Sequence, residues 1–271
     1  MVEDVVVHLQ SPPERATDTP ARIVRRRGGS AANVAVAASR AGCPTRFIGR
    51  VGDDQVGQQL VDALEDEGVD VRVQRGPGRT GAVVVLVEPG GERTMLPDRA
   101  AAVELESIDR TWLEGATWLH VPAYSLCAEP IGTSTIAAAQ HVRASWGRIS
   151  VDVSSASLVR SFGEDAFREL VASLAPEVVF ANRDEASLVA GVAVPLVVVK
   201  RGGEPIELVV GRDQRELVPV DEVTGVADTT GAGDAFAGGF LAARIAGADK
   251  TAAVAAGHEA AIAVLRKHAA E

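Results

Sequence analysis

Short valine-rich runs alternate along this chain with alanine-rich segments of helical length. The pattern predicts strands over Arg46–Val51, Thr117–Val121, Ile149–Val153, Val178–Ala181 and Leu196–Lys200. It predicts helices over Ala31–Ala41, Gln55–Glu67, Ile131–Ser145, Glu164–Leu174, Glu185–Ala190, Ala232–Ala246 and Lys250–Lys267. Because apolar strands separated by helices form βαβ units, we expect an α/β domain with a mostly parallel sheet covered on both faces.

Two stretches, Val5–Arg26 and Val69–Leu96, carry strand patterns without a helix between the strands. Such a pattern is typical of antiparallel hairpins and not of βαβ units. We therefore expect a second, smaller sheet beside the main one. The predicted hairpin strands are Gly81–Glu88 with Glu92–Leu96 and, later in the chain, Ile206–Val210 with Glu216–Val220.

Composition limits the partners that this chain can have. Its 271 residues carry a net charge of -10 and only 4% aromatic residues, which argues against nucleic acid as a partner. No apolar run approaches the ~20 residues that a membrane-spanning helix needs. The N-terminus has no basic segment followed by an apolar region, so we expect no signal peptide and a cytoplasmic protein. Cys43 and Cys127 are far apart, which favours reduced thiols.

The nine residues Asp228-Thr-Thr-Gly-Ala-Gly-Asp-Ala-Phe236 form a glycine turn that opens an apolar helix. Backbone N–H groups at such a turn point toward one spot, and the helix dipole makes that spot favourable for an anion. Asp234 lies in the middle of it. A carboxylate there makes sense if a hydroxyl lies between it and a phosphoryl group that is being transferred. The alternative is an ordinary helix start with Asp as a capping residue.

Other phosphate-binding motifs are absent from the sequence. No G-x-x-x-x-G-K-[ST] segment exists, which excludes a P-loop mechanism, and no G-x-G-x-x-G follows a predicted strand. The absence of the second motif removes the dinucleotide-binding interpretation.

Two more segments place polar residues at the start of helices. The turn Gly28-Gly29-Ser30-Ala31-Ala32-Asn33 allows the backbone of Gly28 and Gly29 to approach a ligand, and Asn33 can hydrogen-bond to hydroxyl groups. Asn182 and Glu185 are three residues apart, so both can reach the same shell of water. The alternative for that pair is a capping box, with Asn182 as N-cap and Glu185 three residues later.

From about Asp4 to its C-terminus, this sequence resembles the ribokinase/PfkB family of carbohydrate kinases. The resemblance rests on four segments that occur in the order found in the family: GGSAAN, Gly52-Asp-Asp-Gln-Val-Gly57, Asn182-Arg-Asp-Glu185 and DTTGAGDAF. The resemblance implies one domain over residues 1–271 with a three-layer α/β/α ribokinase-like fold. It also implies that segments 5–26 and 69–96 form a β-sheet lid over a sugar site. In the family the lid often doubles as the surface of a homodimer.

The resemblance implies an ATP-dependent transfer of phosphate to a hydroxyl of a sugar or sugar acid, with Asp234 as the catalytic base. It implies that the amides of Gly231, Ala232 and Gly233 form an anion hole, and that the sugar is contacted by Asp4, Gly28, Gly29 and Asn33. It implies that the nucleotide is contacted by Lys200, Gly202 and Gly203. It further implies a Mg²⁺ site organised through water by Asn182 and Glu185, and a monovalent cation such as K⁺ at Asp228 and Thr230. Each of three residues has an ordinary structural alternative. Asp4 could face solvent, Lys200 could be a surface lysine, and Asp228 could take part in ordinary turn and capping hydrogen bonds.

Arginines cluster near the expected sugar site. Arg25, Arg26 and Arg27 directly precede Gly28, and Arg93 and Arg99 flank the last lid strand. Charged runs usually form a solvated face. The other interpretation is recognition of an anionic substrate, such as a sugar acid or sugar phosphate, which arginine binds with two parallel hydrogen bonds.

The sequence departs from the family at its start and at two later places: the segment Glu185–Leu196 is short, and Pro122-Ala123-Tyr124 stands where some members carry an acidic residue. Members normally have a buried strand before the residue matched by Asp4, whereas this sequence begins at Met1. Loss of a central strand would leave its neighbours with unpaired backbone groups. One alternative to a sugar kinase is therefore a non-catalytic sugar- or nucleotide-binding relative that lost turnover with this strand. A nucleoside kinase of the same family is a second alternative, which concerns only the substrate.

Overall fold

The computed structural model describes residues 1–90, 92–212, 214–221 and 228–270. Its strands are β1 (Val2–Leu9), β2 (Ala21–Gly28), β3 (Arg46–Gly52), β4 (Asp70–Gly76), β5 (Gly81–Val87), β6 (Arg93–Asp98), β7 (Trp118–Pro122), β8 (Arg148–Asp152), β9 (Val178–Asn182), β10 (Leu196–Lys200), β11 (Ile206–Val210) and β12 (Gln214–Val218). Its α-helices are α1 (Ser30–Arg40), α2 (Gln55–Glu65), α3 (Ile131–Ala144), α4 (Ala156–Phe162), α5 (Glu164–Leu174), α6 (Ala232–Ile245) and α7 (Lys250–Ala270).

The main sheet has six strands in the order β12-β11-β10-β9-β8-β7. Strands β7 to β10 are parallel, and β11 and β12 form the predicted antiparallel hairpin. Side chains of β9 alternate between two cores: Val178 and Phe180 pack with α6 and α7, whereas Val179 and Ala181 pack with α3 and α5. The predicted three-layer α/β/α fold with a mostly parallel sheet is thus confirmed.

A second sheet with the order β2-β1-β5-β6 forms the predicted lid. It begins at Val2, earlier than the predicted Val5. The second lid segment was predicted to begin at Val69, but the strand there, β4, is not part of the lid sheet. It pairs in parallel with β3 instead. The reason is packing: Val71 and Val73 of β4 cover the apolar cluster that Phe47 forms with helix α2.

A gap separates the two parallel sheets. Within the described residues, β7 is the last strand of the main sheet and β3 pairs only with β4. A cavity of about 70 Å³ lies between them, lined by Ile48 of β3, by Leu119 and Val121 of β7, and by Leu105 and Leu113 of the connecting segment. Apolar side chains of β3, of β7 and of the segment that connects the two sheets line this gap.

Two helical segments differ from the prediction. The segment Glu185–Ala190 forms only one 3₁₀ turn, Ala186–Val189, because few residues separate β9 from β10. Helix α4 was not predicted; it is seven residues long, and the hydroxyl of Ser155 caps it by accepting from the Leu158 N–H.

Close packing of α1 against α6 positions the site. A Cβ on Gly238 of α6 would lie 2.6 Å from the carbonyl oxygen of Val34 in α1, and one on Gly239 would lie 2.7 Å from that of Ala256 in α7. Such distances are possible only with glycine. The Gly238 contact brings α1 and α6 close together, and the Gly239 contact packs α6 against α7. The candidate site forms at the N-terminal ends of α1 and α6.

Candidate active site

The site is centred on the N-terminus of α6. Gly231, the N-cap, has a left-handed φ of 76°, which turns the chain into the helix. The first N–H groups of a helix have no partner within the helix. The Ala232 N–H donates to the Thr229 carbonyl at 3.2 Å, so Gly233 and Asp234 present the amides most available to an anion. The predicted contribution of Ala232 to an anion hole stays a prediction.

Asp234 is held by two donors from α1. The Ser30 hydroxyl donates to Oδ1 at 2.7 Å, and the Asn33 amide donates to Oδ2 at 2.9 Å. Burial is the largest influence on this carboxyl and raises its pKa to about 6, against the lowering effect of Asn33 and Ser30. Fixed geometry and a pKa below neutrality are what a general base at pH 7 requires.

Asn33 connects the base to the lid. Its side-chain oxygen accepts from Arg27 at 2.8 Å while its nitrogen donates to Asp234. Both ends of the amide are therefore engaged, and the geometry favours a role in orienting Asp234. Ser30 was not singled out from the sequence, although it lies at the first position of the helix that the GGSAAN turn opens.

Lys200 lies beside the anion site with only 16% of its side chain exposed, so it is not a surface lysine. Its Nζ donates to Asp152 Oδ2 at 2.7 Å and lies 3.3 Å from where a Cβ on Gly233 would stand. Burial lowers the pKa of this ammonium, but the charges of Asp152, Asp234 and Glu185 outweigh burial and raise it overall. The lysine is therefore a cation directly next to the amides of α6.

Asp152 was missed from the sequence. It ends β8, and only 3% of its side chain is exposed. The sequence held a signal for Asp152, because it lies near the carboxyl end of a predicted parallel strand. The carboxyl ends of neighbouring parallel strands meet at one edge of a sheet and form its ligand crevice. Asp152, Asn182 and Lys200 end three neighbouring strands of the main sheet.

Asn182 and Glu185 make the reciprocal hydrogen bonds of the capping box that was the alternative prediction, but around the turn that precedes the 3₁₀ segment Ala186–Val189. The Asn182 oxygen accepts from the Asp184 and Glu185 N–H groups, and Glu185 Oε2 accepts from the Asn182 N–H at 2.8 Å. Glu185 is buried, and burial followed by the charge of Asp152 raises its pKa. Its second oxygen remains for a water molecule.

This donor set fits Mg²⁺ only through water. The described residues contain no group of three His, Cys, Asp or Glu side chains placed to hold a metal ion. Mg²⁺ commonly keeps several waters and binds through substrate phosphates and one or two carboxylates. Glu185 beside the anion site matches that mode, and Asn182 would act by fixing Glu185.

Asp4 is buried in lid strand β1 and does not face open solvent. A Cβ on Gly28 would lie 2.0 Å from its Oδ1, so glycine is required there for the carboxylate to fit. Burial raises the pKa of Asp4 to about 6, Arg26 and Arg27 lower it, and Asp234 raises it. Asp4 is therefore near enough to Asp234 to feel its charge, and its role in sugar binding stays a prediction.

The remaining predicted residues lie farther out. Gly202 and Gly203 are exposed in the turn between β10 and β11, where Gly202 has a φ of 66°. Gly29 caps α1 with a φ of 98°. Asp54 of the GDDQVG segment caps α2 and accepts from Thr80, so its role in the described structure is to join that helix to the lid strand β5.

Most of the clustered arginines contact protein groups. Arg25 pairs with Glu3 at the surface, Arg26 and Arg93 contact Asp228, and Arg27 contacts Asn33. Arg99 contacts an aromatic ring instead of a carboxylate or an amide: its guanidinium lies 4.0 Å from the centre of the Tyr124 ring.

The pH dependence of turnover should report the carboxyl of Asp234. Because its pKa is about 6, kcat/KM should fall as pH drops through 6 and the base becomes protonated. In Ser30→Ala the carboxylate loses a donor, so the acid limb should move to higher pH. A pH–rate profile of both proteins checks this. An acid limb near pH 4, or one that stays in place in Ser30→Ala, would contradict the assignment.

Known proteins resemble this chain in sequence and in fold. The family model described as pfkB family carbohydrate kinase matches residues 1–271. A fructokinase from Klebsiella pneumoniae is 33% identical over 245 residues, covering 83% of this chain and 79% of the relative. A fructokinase from Vibrio alginolyticus is also 33% identical, over 79% of this chain and 75% of the relative.

Two solved structures share the fold. Adenosine kinase from Sinorhizobium meliloti has a TM-score of 0.87 at 24% identity, over 98% of this chain and 91% of the other. A ribokinase II from E. coli in complex with ATP and Mg²⁺ has a TM-score of 0.85 at 24% identity, over 99% and 92%. The chain therefore belongs to the pfkB family of carbohydrate kinases. None of the helices in the described parts of the chain is long and apolar enough to cross a membrane.

Proposed function

We propose that this kinase transfers the γ-phosphoryl group of ATP to a hydroxyl of a sugar or sugar acid, with Asp234 as the base. The observation that carries the proposal is the placement of Asp234. It lies at an anion-binding helix N-terminus, is fixed by Ser30 and Asn33, and neighbours the Lys200 ammonium. A base, an anion site and a cation within one cleft are the components that phosphoryl transfer needs.

In the proposed step the substrate hydroxyl donates its proton to Asp234. The hydroxyl oxygen forms a bond to the γ-phosphorus as the bond to the β-phosphate oxygen breaks, and ADP leaves. The Gly233 amide and Lys200 face the phosphoryl oxygens and stabilise their charge. Mg²⁺, when bound with the nucleotide, neutralises phosphate charge. Asp4 and the backbone at Gly28 hold the sugar beneath the lid.

The substrate class rests on two observations. The two sequence relatives named above are fructokinases, which favours a ketohexose. Arg99 lies over the ring of Tyr124, a residue on which the charge of Asp234 acts, so Arg99 is the arginine that we propose to select an acidic sugar. Fructose and 2-keto-3-deoxygluconate are therefore the first candidates, with ribose and a nucleoside as comparisons.

A substrate panel tests the proposal. ADP release from ATP and Mg²⁺ is measured with fructose, ribose, 2-keto-3-deoxygluconate and adenosine. Release that depends on one sugar supports the kinase, and release with adenosine alone would replace the sugar by a nucleoside. If ATP and sugars raise the melting temperature but no panel member supports release, the non-catalytic alternative is favoured.

We also propose a homodimer through the lid. Ile23 of β2 and Leu96 of β6 are large apolar side chains that are 61% and 52% exposed, and the strand register places them on the same face of the lid sheet. Exposed apolar patches of this kind mark protein contacts. Sedimentation should give a dimer for the wild type and a monomer for Ile23→Lys/Leu96→Lys. A monomeric wild type would contradict the proposal.

A further inference from the structure

Asp228 is held by arginines from both outer strands of the lid. Arg26 of β2 donates to Oδ2 at 2.8 Å, and Arg93 of β6 lies 3.2 Å from Oδ1. The lid order β2-β1-β5-β6 places these strands at opposite edges of the sheet. The two guanidinium groups therefore join both edges of the lid to the residue that begins the signature turn.

Arg93 also holds the two threonines of that turn. Its Nη1 donates to the Thr230 hydroxyl at 2.7 Å and its Nη2 to the Thr229 hydroxyl at 2.9 Å. The Thr230 N–H in turn donates to Asp228 Oδ1 at 2.8 Å. Burial alone would raise the pKa of Asp228, but Thr230 and Arg26 hold it well below its usual range. The carboxylate is ionised and engaged on both oxygens.

These contacts do not fit a monovalent cation at Asp228 and Thr230. Both carboxylate oxygens and the Thr230 hydroxyl face guanidinium donors, so an added cation would meet two positive charges and would have to displace them. The resemblance implied K⁺ at this place, and the residues present supply their own positive charge instead.

We propose that Arg26 and Arg93 replace the monovalent cation and form a latch that fixes the signature turn only when the lid is docked. The effect of this latch on catalysis rests on the proposed kinase function. The turn from Asp228 to Gly231 leads directly to the amides and the base of α6. Docking of the lid thus orders the anion site, and both arginines are positioning residues.

Two measurements on the wild-type protein test the cation half of the proposal. Sugar-dependent turnover and the melting temperature are measured in KCl, NaCl and choline chloride at equal ionic strength. Because the guanidinium groups occupy the position, both quantities should be the same in the three salts. A K⁺-specific rise in turnover or in melting temperature would overturn the proposal, and neither measurement depends on a variant that folds.

Hydrogen exchange tests the latch half. Arg93→Gln should speed amide exchange in residues 228–234 about tenfold or more, and Asp228→Asn should do the same in β2 and β6, because coupling is reciprocal. Arg25→Gln, on the same lid strand as Arg26 but paired with Glu3 at the surface, is the matched control and should change neither segment. Arg93→Lys keeps the positive charge but lacks the two guanidinium nitrogens that contact Thr229 and Thr230. It should show an intermediate rate of amide exchange.

The latch is wrong if Arg93→Gln changes exchange only within β6, or if Arg25→Gln has the same effect. The exchange experiment and the melting temperatures need no substrate. If no sugar is phosphorylated but exchange is coupled as described, the kinase proposal fails and the latch stands. If sugar turnover is seen but requires K⁺, the latch fails and the kinase stands.

Discussion

Replacing Asp234 with asparagine should lower kcat by about 10²-fold or more, because the variant cannot take the proton of the substrate hydroxyl. Asparagine is nearly the same size and can still contact Ser30 and Asn33, which hold the carboxylate in place. Binding of ATP should therefore persist. Steady-state kinetics and a nucleotide titration of the same preparation measure the two effects separately.

The stability of the same variant has a predicted sign. The pKa of Asp234 is raised from 3.8 to about 6 on folding. Between those values the unfolded chain has lost the proton that the native state keeps, so the free energy of unfolding falls as pH rises through this window. A neutral side chain avoids that loss. At pH 7 the melting temperature of Asp234→Asn should be equal to or above that of the wild type.

Asp18→Asn, in an exposed loop, is the matched control and should retain full activity. An Asp234→Asn protein that keeps its kcat would refute the base assignment. One that loses activity together with a large fall in melting temperature would show that the carboxylate is structural.

Lys200→Met should be the most destabilising of these substitutions. The ammonium and the carboxylate of Asp152 have side-chain exposures of only 16% and 3%, and removing one partner leaves the other charge buried. Such a loss costs about 3–5 kcal/mol. Turnover should also fall, by about 10²-fold, because the cation beside Gly233 is lost. Denaturant unfolding and kinetics at low temperature measure the two effects.

The control for this substitution is Lys250→Met. Lys250 pairs with Glu216 at the surface, where about a third of each side chain is exposed, and its loss should cost about 0–1 kcal/mol. In the double variant Lys200→Met/Asp152→Asn the unpaired charge is gone, so part of the stability should return. If the double variant is less stable than Lys200→Met, unpaired charge is not the cause.

Local sequence patterns predicted the fold well where hydrophobic burial decides it. The β8 and β9 runs are apolar because both faces of the sheet are covered, and their positions were predicted to within a residue or two. The turn at Gly231 was also predictable, because glycine adopts the left-handed conformation that starts a helix here without steric cost. Asp234 was identified from its place in that same turn.

Long-range contacts could not be predicted from those patterns. The lysine at the end of β10 gave no sign that its partner is Asp152, which lies 48 residues away. The arginines before Gly28 suggested an anionic ligand, but Arg26 instead contacts Asp228, 202 residues further along the chain. The assignment of β4 to the lid was wrong because strand patterns do not say which neighbour a strand pairs with.

The most direct test of the central claim is detection of the phosphorylated product. The protein is incubated with ATP, Mg²⁺ and the best sugar of the panel, and the products are analysed by mass spectrometry beside those of Asp234→Asn. The account predicts a sugar that gains one phosphoryl group in amounts equal to the ADP formed, with the product nearly absent for the variant. ADP without a phosphorylated sugar, or equal product from both proteins, would contradict it.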